Sequence, residues 1–205
     1  MHQEVINQKT KCLLAVLEKS KAINNFYLAG GTALALQLGH RKSIDLDWFN
    51  QKSFNTIKLK SDLVKVGKIV IKSEEKDTLN LNLSGVRLSF INYPYKLLLS
   101  LLNWQNIKIA DYRDIACMKL DAVSSRGSKK DFIDLYFILQ IFSLPELLRL
   151  FDRKYKEIDY NRLHILKSLT YFIDADKEPM PIMLKRINWQ TIKKFFIILV
   201  KKELQ

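Results

Sequence analysis

The stretch FYLAGGTALALQLGHRKSIDLDWF, residues 26–49, constrains the fold more than any other part of the chain. Phe26 to Ala29 is an apolar run of the kind that makes a buried strand. Gly30 and Gly31 break it. Residues 32–38, TALALQL, are good helix formers behind a threonine able to cap, and Gly39 supplies the stop. From Ser43 to Phe49 the pattern alternates again, Ile44, Leu46 and Trp48 against Asp45, Asp47 and Phe49. Strand side chains repeat every two residues, so Asp45 and Asp47 point the same way. Like charges side by side repel, which is tolerable at a solvent edge or around a cation, and Mg2+ is the usual hard cation for oxygen ligands. The glycines let backbone N–H groups approach a phosphate, and the helix N-terminus behind them favours an anion. The spacing therefore predicts strand, turn, helix and strand carrying an anion cradle beside a cation site. A nucleoside triphosphate with its Mg2+ needs both.

Around this unit the chain reads as two regions. Residues 3–21 predict an opening helix, with Val5, Leu13, Leu14 and Leu17 at helical spacing. Residues 53–66 predict another, with Ile57, Leu59, Leu63 and Val66 inward. GKIVIK (67–72) reads as a strand, SEEKD as a turn, and TLNLNL alternates strictly before a hairpin at Ser84-Gly85. VRLSFIN then returns as a strand, stopped by Pro94. Residues 1–107 are thus expected to form a mixed sheet with helices and residues 108–205 a helical region, an α+β chain.

In residues 111–142, DYRDIACMKLDAVSSRGSKKDFIDLYFILQIF, two helices flank a basic loop. Ile115, Met118, Leu120 and Val123 include core positions, and Lys119 among them either snorkels outward or aims into a site. Arg126, Lys129 and Lys130 crowd around Gly127. Asp131 opens the next helix, where its charge suits the helix dipole, and Asp134 follows one turn on, at ion-pair spacing from Lys130. Residues 145–170 and 189–204 predict further helices with charged faces, Lys154 among them. Tyr155, Tyr160 and Tyr171 could stack on bases or fill a core. The acidic turn at residues 174–181 has no assignable chemistry.

Composition limits the classes. No run reaches eighteen apolar residues, so no membrane span is expected, and the charged N-terminus does not read as a signal peptide. Cys12 and Cys117 sit in apolar helical patterns, which fits buried thiols in a cytoplasmic protein rather than a zinc site. His2, His40 and His164 do not cluster, and no GxxxxGK(S/T) loop is present. The net charge of +13, from 34 Lys and Arg against 21 Asp and Glu in 205 residues, favours a polyanion, either nucleic acid or an acidic partner.

The GG-T and D-L-D elements at this spacing resemble the signature of the nucleotidyltransferase superfamily. The string AGGTALALQLGHRKSIDLDWF is similar to the AbiEii/AbiGii-type nucleotidyltransferase toxins. A second element, DIACMKLDAVSSRGSKKDFIDLYFIL, resembles that family's D-x-x-x-x-K followed by R-G-x-K-KD-x-x-DL, and the likeness runs over nearly the whole chain. The resemblance implies a Mg2+-dependent transferase that moves a nucleotidyl group from an NTP to an RNA acceptor such as a tRNA end, working as a toxin with a cognate antitoxin. It implies that Asp45 and Asp47 hold metal, that Lys119, Asp131 and Asp134 complete the catalytic set, and that Gly30, Gly31, Thr32, Arg41, Arg126 and Lys130 bind nucleotide. One departure stands out. Many nucleotidyltransferases carry a third metal-binding carboxylate on the strand at residues 86–91, where this chain has Arg87 and Ser89, which leaves two carboxylates for metal unless another acid, such as Asp131 or Asp134, completes the site. A non-catalytic nucleotide-binding module, a small-molecule (antibiotic) nucleotidyltransferase and a kinase-like phosphoryl transferase are the alternatives.

Overall fold

The computed structural model describes residues 1–205. A mixed seven-stranded sheet forms its centre: β1 (Tyr27–Ala29), β2 (Leu46–Asn50), β3 (Ile69–Glu75), β4 (Thr78–Leu83), β5 (Val86–Asn92), β6 (Leu102–Trp104) and β7 (Ile107–Ile109), in the order β3-β4-β5-β2-β1-β7-β6. The strand of the D-L-D element is central. β2 pairs antiparallel with β1, Ala29 facing Asp47, and parallel with β5, Asp47 facing Ser89. Leu46 and Trp48 are fully buried beside Leu88 and Phe90 on one face, where Trp48 and Phe90 stack with centroids 6.4 Å apart. The two-residue period sends Asp45, Asp47 and Phe49 to the other face. There Phe49 meets Tyr93, and Tyr93 shares a hydroxyl–hydroxyl hydrogen bond with Tyr155 of the helical region. The carboxylates therefore face the C-terminal half.

Helices follow as α1 (Gln8–Leu17), α2 (Gly30–Leu38), α3 (Thr56–Val64), α4 (Tyr112–Ser125), α5 (Lys129–Ile138), α6 (Leu144–Lys154), α7 (Arg162–Ser168), α8 (Ile173–Lys177) and α9 (Trp189–Glu203). Gly39 ends α2 in the left-handed conformation, at φ +63°, as its position suggests. α2 lies on β1 and β2, and α4 packs against α2, α5, α6 and α7, so α4 links the sheet to the rest of the helices.

Several expectations are corrected. The opening helix is split: Gln3–Val5 is a 3-10 turn, and Asn7 caps a shorter α1 by accepting from the Thr10 N–H at 2.8 Å. Ile57 is 72% exposed because α3 covers the sheet only through Leu59 and Leu63. β3 runs on through the expected turn to Glu75. The β6–β7 hairpin was not read from the sequence; its two-residue turn, Gln105-Asn106, has both φ angles positive, a geometry usually signalled by glycine. Cys12 is exposed, and only Cys117 is buried.

Lys154 is not on a solvated face. It is fully buried, 2.7 Å from Asp114, and donates to the Lys96 carbonyl at 3.0 Å. Asp114 also accepts from the Leu98 and Leu99 N–H groups. The acid of the D-x-x-x-x-K element thus fixes a loop rather than a substrate. Removing one partner of a buried pair strands the other charge, so Lys154→Met is expected to lower the unfolding free energy by about 3–5 kcal/mol in a urea titration. A loss below about 1 kcal/mol would show that the pair is solvated.

Candidate active site

A cleft of about 310 Å3 opens where β2, the N-terminus of α2, α4 and α5 meet. Asp45, Asp47 and Asp131 line it, together with Arg41, Lys42, Lys119, Arg126 and Lys130. Five basic and three acidic side chains make it net cationic, so it suits an anion accompanied by a cation.

The glycines act on the protein's own side chains. Gly30 has φ +67°, and a Cβ there would lie 2.5 Å from Asp47 Oδ2; a Cβ at Gly31 would lie 2.5 Å from Arg41 Nη2. The turn therefore lets a carboxylate and a guanidinium press against the start of α2. Thr32 does not cap the helix, whose N-cap is Ala29 with no side-chain bond. Its buried hydroxyl instead donates to the Asp45 carbonyl and lies 2.8 Å from Ser43 Oγ, tying α2 to the strand that carries the acids.

Behind the cleft lies a buried ionic network. Lys119 is 6% exposed, so it aims into the site; its Nζ is 2.8 Å from Asp131 and 2.7 Å from Asp134. Asp134, fully buried, accepts from Arg41 Nε at 2.7 Å, from Arg41 Nη2 at 2.8 Å and from His40 Nε2 at 2.7 Å. The expected Lys130–Asp134 pair does not form, because Asp134 points inward and Lys130 stays exposed. Asp131 also accepts from Arg126 Nε at 3.0 Å and Ser128 Oγ at 2.8 Å.

Burial opposes every charge here, and the partners decide the outcome. Burial would raise the Asp134 carboxyl, but Arg41 and Lys119 hold it well below the usual range. Burial likewise opposes Asp131, which Lys119 and Arg126 bring down. Burial disfavours the Lys119 ammonium, yet Asp134 and Asp131 keep it above its ordinary value. Burial lowers His40 despite Asp134, so the imidazole is neutral and donates through Nε2. Asp131 and Asp134 are thereby weak bases, suited to positioning Lys119 and Arg41 rather than to taking a proton.

Asp47 behaves oppositely. Burial raises it, with Asp45 adding repulsion, and Lys119 and a Ser89 hydrogen bond only partly compensate. Asp45 is 38% exposed in its side chain and forms a two-point pair with Arg87, Nε to Oδ1 at 2.9 Å and Nη2 to Oδ2 at 3.1 Å. Arg87 and Ser89 thus meet the two acids from the register positions where a third carboxylate was missing. No group of three or more His, Cys, Asp or Glu side chains is placed to hold a metal ion. Asp45 and Asp47 are the carboxylates turned to the cleft that the buried network leaves out.

Sequence reasoning missed the far wall. The acidic turn is part of a returning segment: Met183 bridges to Arg41, Lys42 N–H donates to the Ile182 carbonyl at 2.8 Å, and Pro181 and Ile182 line the cleft. Glu178 accepts from the Lys129 N–H at 3.0 Å at the start of α5. No local motif marks such a segment.

Residues 11–100 and 78–203 match the profile of the nucleotidyl transferase AbiEii toxins of type IV toxin–antitoxin systems. The chain belongs to the AbiEii nucleotidyl transferase toxin family. An uncharacterized protein of Aquifex aeolicus (strain VF5) is 40% identical over 188 residues, which cover 89% of each chain. JHP933 from Helicobacter pylori has the same fold, with a TM-score of 0.57 at 17% identity, covering 94% of this chain and 89% of that one. MenT4, a nucleotidyltransferase toxin from Mycobacterium tuberculosis H37Rv, gives 0.52 at 14% identity, covering 94% and 85%. The AbiEii-family chain is accordingly a nucleotidyltransferase.

Two measurements check the geometry. Gly30→Ala combines a positive φ with a clash on Asp47, so a loss of about 1–3 kcal/mol in chemical denaturation is expected. For Asp134, the folded value lies below the unfolded one of about 3.9, so its stabilisation is present above that pH and fades as pH falls through the folded value. Asp134→Asn should therefore cost about 3–5 kcal/mol near pH 7 and flatten the acid limb of the stability curve below about pH 4. An unchanged acid limb would show that Asp134 does not control it.

Proposed function

We propose that this toxin transfers a nucleotidyl group from an NTP to the terminal hydroxyl of an RNA, such as a tRNA end, and that it does so with Mg2+. The observation that carries the reading is the union, in one cleft, of two carboxylates outside the buried network with Arg41, Lys119, Arg126 and Lys130. The family assigns nucleotidyl transfer; the basic surface, with its net charge of +13, supports an RNA acceptor over a cationic drug.

Asp45 and Asp47 fit a hard divalent ion because they offer oxygen donors on one strand face and because Asp47 is half-buried without an ion pair of its own. When bound, that ion would lower the charge around the α-phosphorus. The remaining work belongs to positioning and charge. Lys119 and Arg41, held by Asp131 and Asp134, face the triphosphate with their charges fixed. Arg126 and Lys130 at the cleft mouth offset charge on the departing pyrophosphate. The α2 N-terminus at Gly31 adds backbone N–H groups. Asp131 and Asp134 act here as positioning residues. We read the setting as a cytoplasmic toxin–antitoxin pair with a role in phage defence, the antitoxin limiting the damage to RNA.

Incubation with separately α- and γ-labelled NTPs tests the reaction. Label from the α-position is expected on RNA. Label from the γ-position on protein would favour phosphoryl transfer, and binding without transfer a nucleotide-binding module. Asp45→Asn should reduce α-label transfer at least about 100-fold while shifting stability by no more than about 1 kcal/mol, because its pair with Arg87 is exposed. Transfer by Asp45→Asn at the wild-type rate under limiting Mg2+ would refute the metal assignment.

A further inference from the structure

The structure separates the three tyrosines that the sequence left open to stacking. Tyr155 is buried at 3% exposure, and Tyr160 packs edge-on against Phe151. Tyr171 is 54% exposed and lies outside the hydrophobic core. It stands at a second cleft, of about 380 Å3, between the C-terminal end of α4 and α7. That volume falls within the range of about 300–1,000 Å3 that small-molecule sites occupy.

Arg126 lines both clefts. Its Nε is anchored on Asp131 at 3.0 Å, while 68% of its side chain remains exposed. A molecule with its phosphates in the first cleft can therefore continue past Arg126 into the second. The lining there is polar and of mixed sense. Ser124 Oγ donates to the Asp121 carbonyl at 2.8 Å and Ser168 Oγ to the His164 carbonyl at 2.8 Å, which leaves both oxygens free to accept. Lys167 lines the cleft without an acidic partner within ion-pair distance and supplies a donor. A flat ring with a π face and an edge of donors and acceptors matches an exposed phenol ring surrounded by such groups.

We propose that this second cleft binds a nucleobase, stacked on Tyr171, with Arg126 marking the boundary between phosphate and base. The inference rests on the nucleotidyl-transfer reading for what occupies the neighbouring cleft. The base can come from the incoming NTP or from the terminal residue of the acceptor RNA, and the chemistry of recognition is the same.

The test uses the full chain and two fluorescent probes, 2-aminopurine riboside triphosphate and an RNA ending in 2-aminopurine, whose emission falls on stacking. Wild-type protein is expected to quench one of them. Tyr171→Phe should keep the quenching, whereas Tyr171→Ala should lose it and bind that probe about tenfold more weakly, the scale of a lost base stack. Quenching of the triphosphate assigns the base to the NTP, and quenching of the RNA assigns it to the acceptor. No quenching by wild type, or equal quenching and affinity in Tyr171→Ala for both probes, overturns the proposal. Neither readout needs turnover. Quenching that depends on Tyr171 without α-label transfer would uphold the base site and defeat the transfer reading; transfer with both probes indifferent to Tyr171 would do the reverse.

Discussion

The buried network of Lys119, Asp131, Asp134, Arg41 and His40 is the interaction on which the site depends. Its members come from the loop after α2, from α4 and from α5, so it closes the seam between the sheet and the helical half. Taking such charges out of water is costly, and only their mutual pairing offsets it. The same condition fixes the geometry, because a cation shared between two buried carboxylates has little freedom to move. Lys119 and Arg41 reach the cleft as charges already oriented by their buried partners.

The chain carries two kinds of carboxylate, and environment alone distinguishes them. Asp131 and Asp134 are surrounded by cations and kept ionised. Asp47, half-buried, lacks a direct cationic partner and is raised by its desolvation, while Asp45 rests on an exposed arginine. The first pair holds the protein's own cations. The second faces the cleft outside that network. Arg87 on β5 stands where a third acid would add repulsion, and its bond to Asp45 offsets the negative charge at the strand edge.

The cleft is closed by chain distant from both motifs. The segment through Pro181 and Ile182 returns from α8 to pair with Arg41 and Lys42, and Glu178 caps the helix that presents Asp131. The helical region thereby supplies a wall, part of the cationic network and Arg126, which lines both this cleft and the one beside Tyr171.

Much of this was legible in the sequence because its cause is local. The strand–glycine–helix–strand unit, the hairpin at Ser84-Gly85 and the strict alternation of β4 follow from dihedral freedom and from periodicity. The carboxylates of the D-L-D element share a face for the same reason. What the sequence could not decide is who faces whom. Whether Lys119 snorkels or points inward, whether Asp134 takes Lys130 or Arg41, and whether Lys154 is solvated all depend on which helix lands on which, and the energy of burying a charge exists only once that packing is formed. The glycines show the division plainly. The sequence by itself determined that the backbone turns at Gly30 and Gly31; only the tertiary structure decided that the space so opened is filled by Asp47 and Arg41, because both side chains arrive from other parts of the chain.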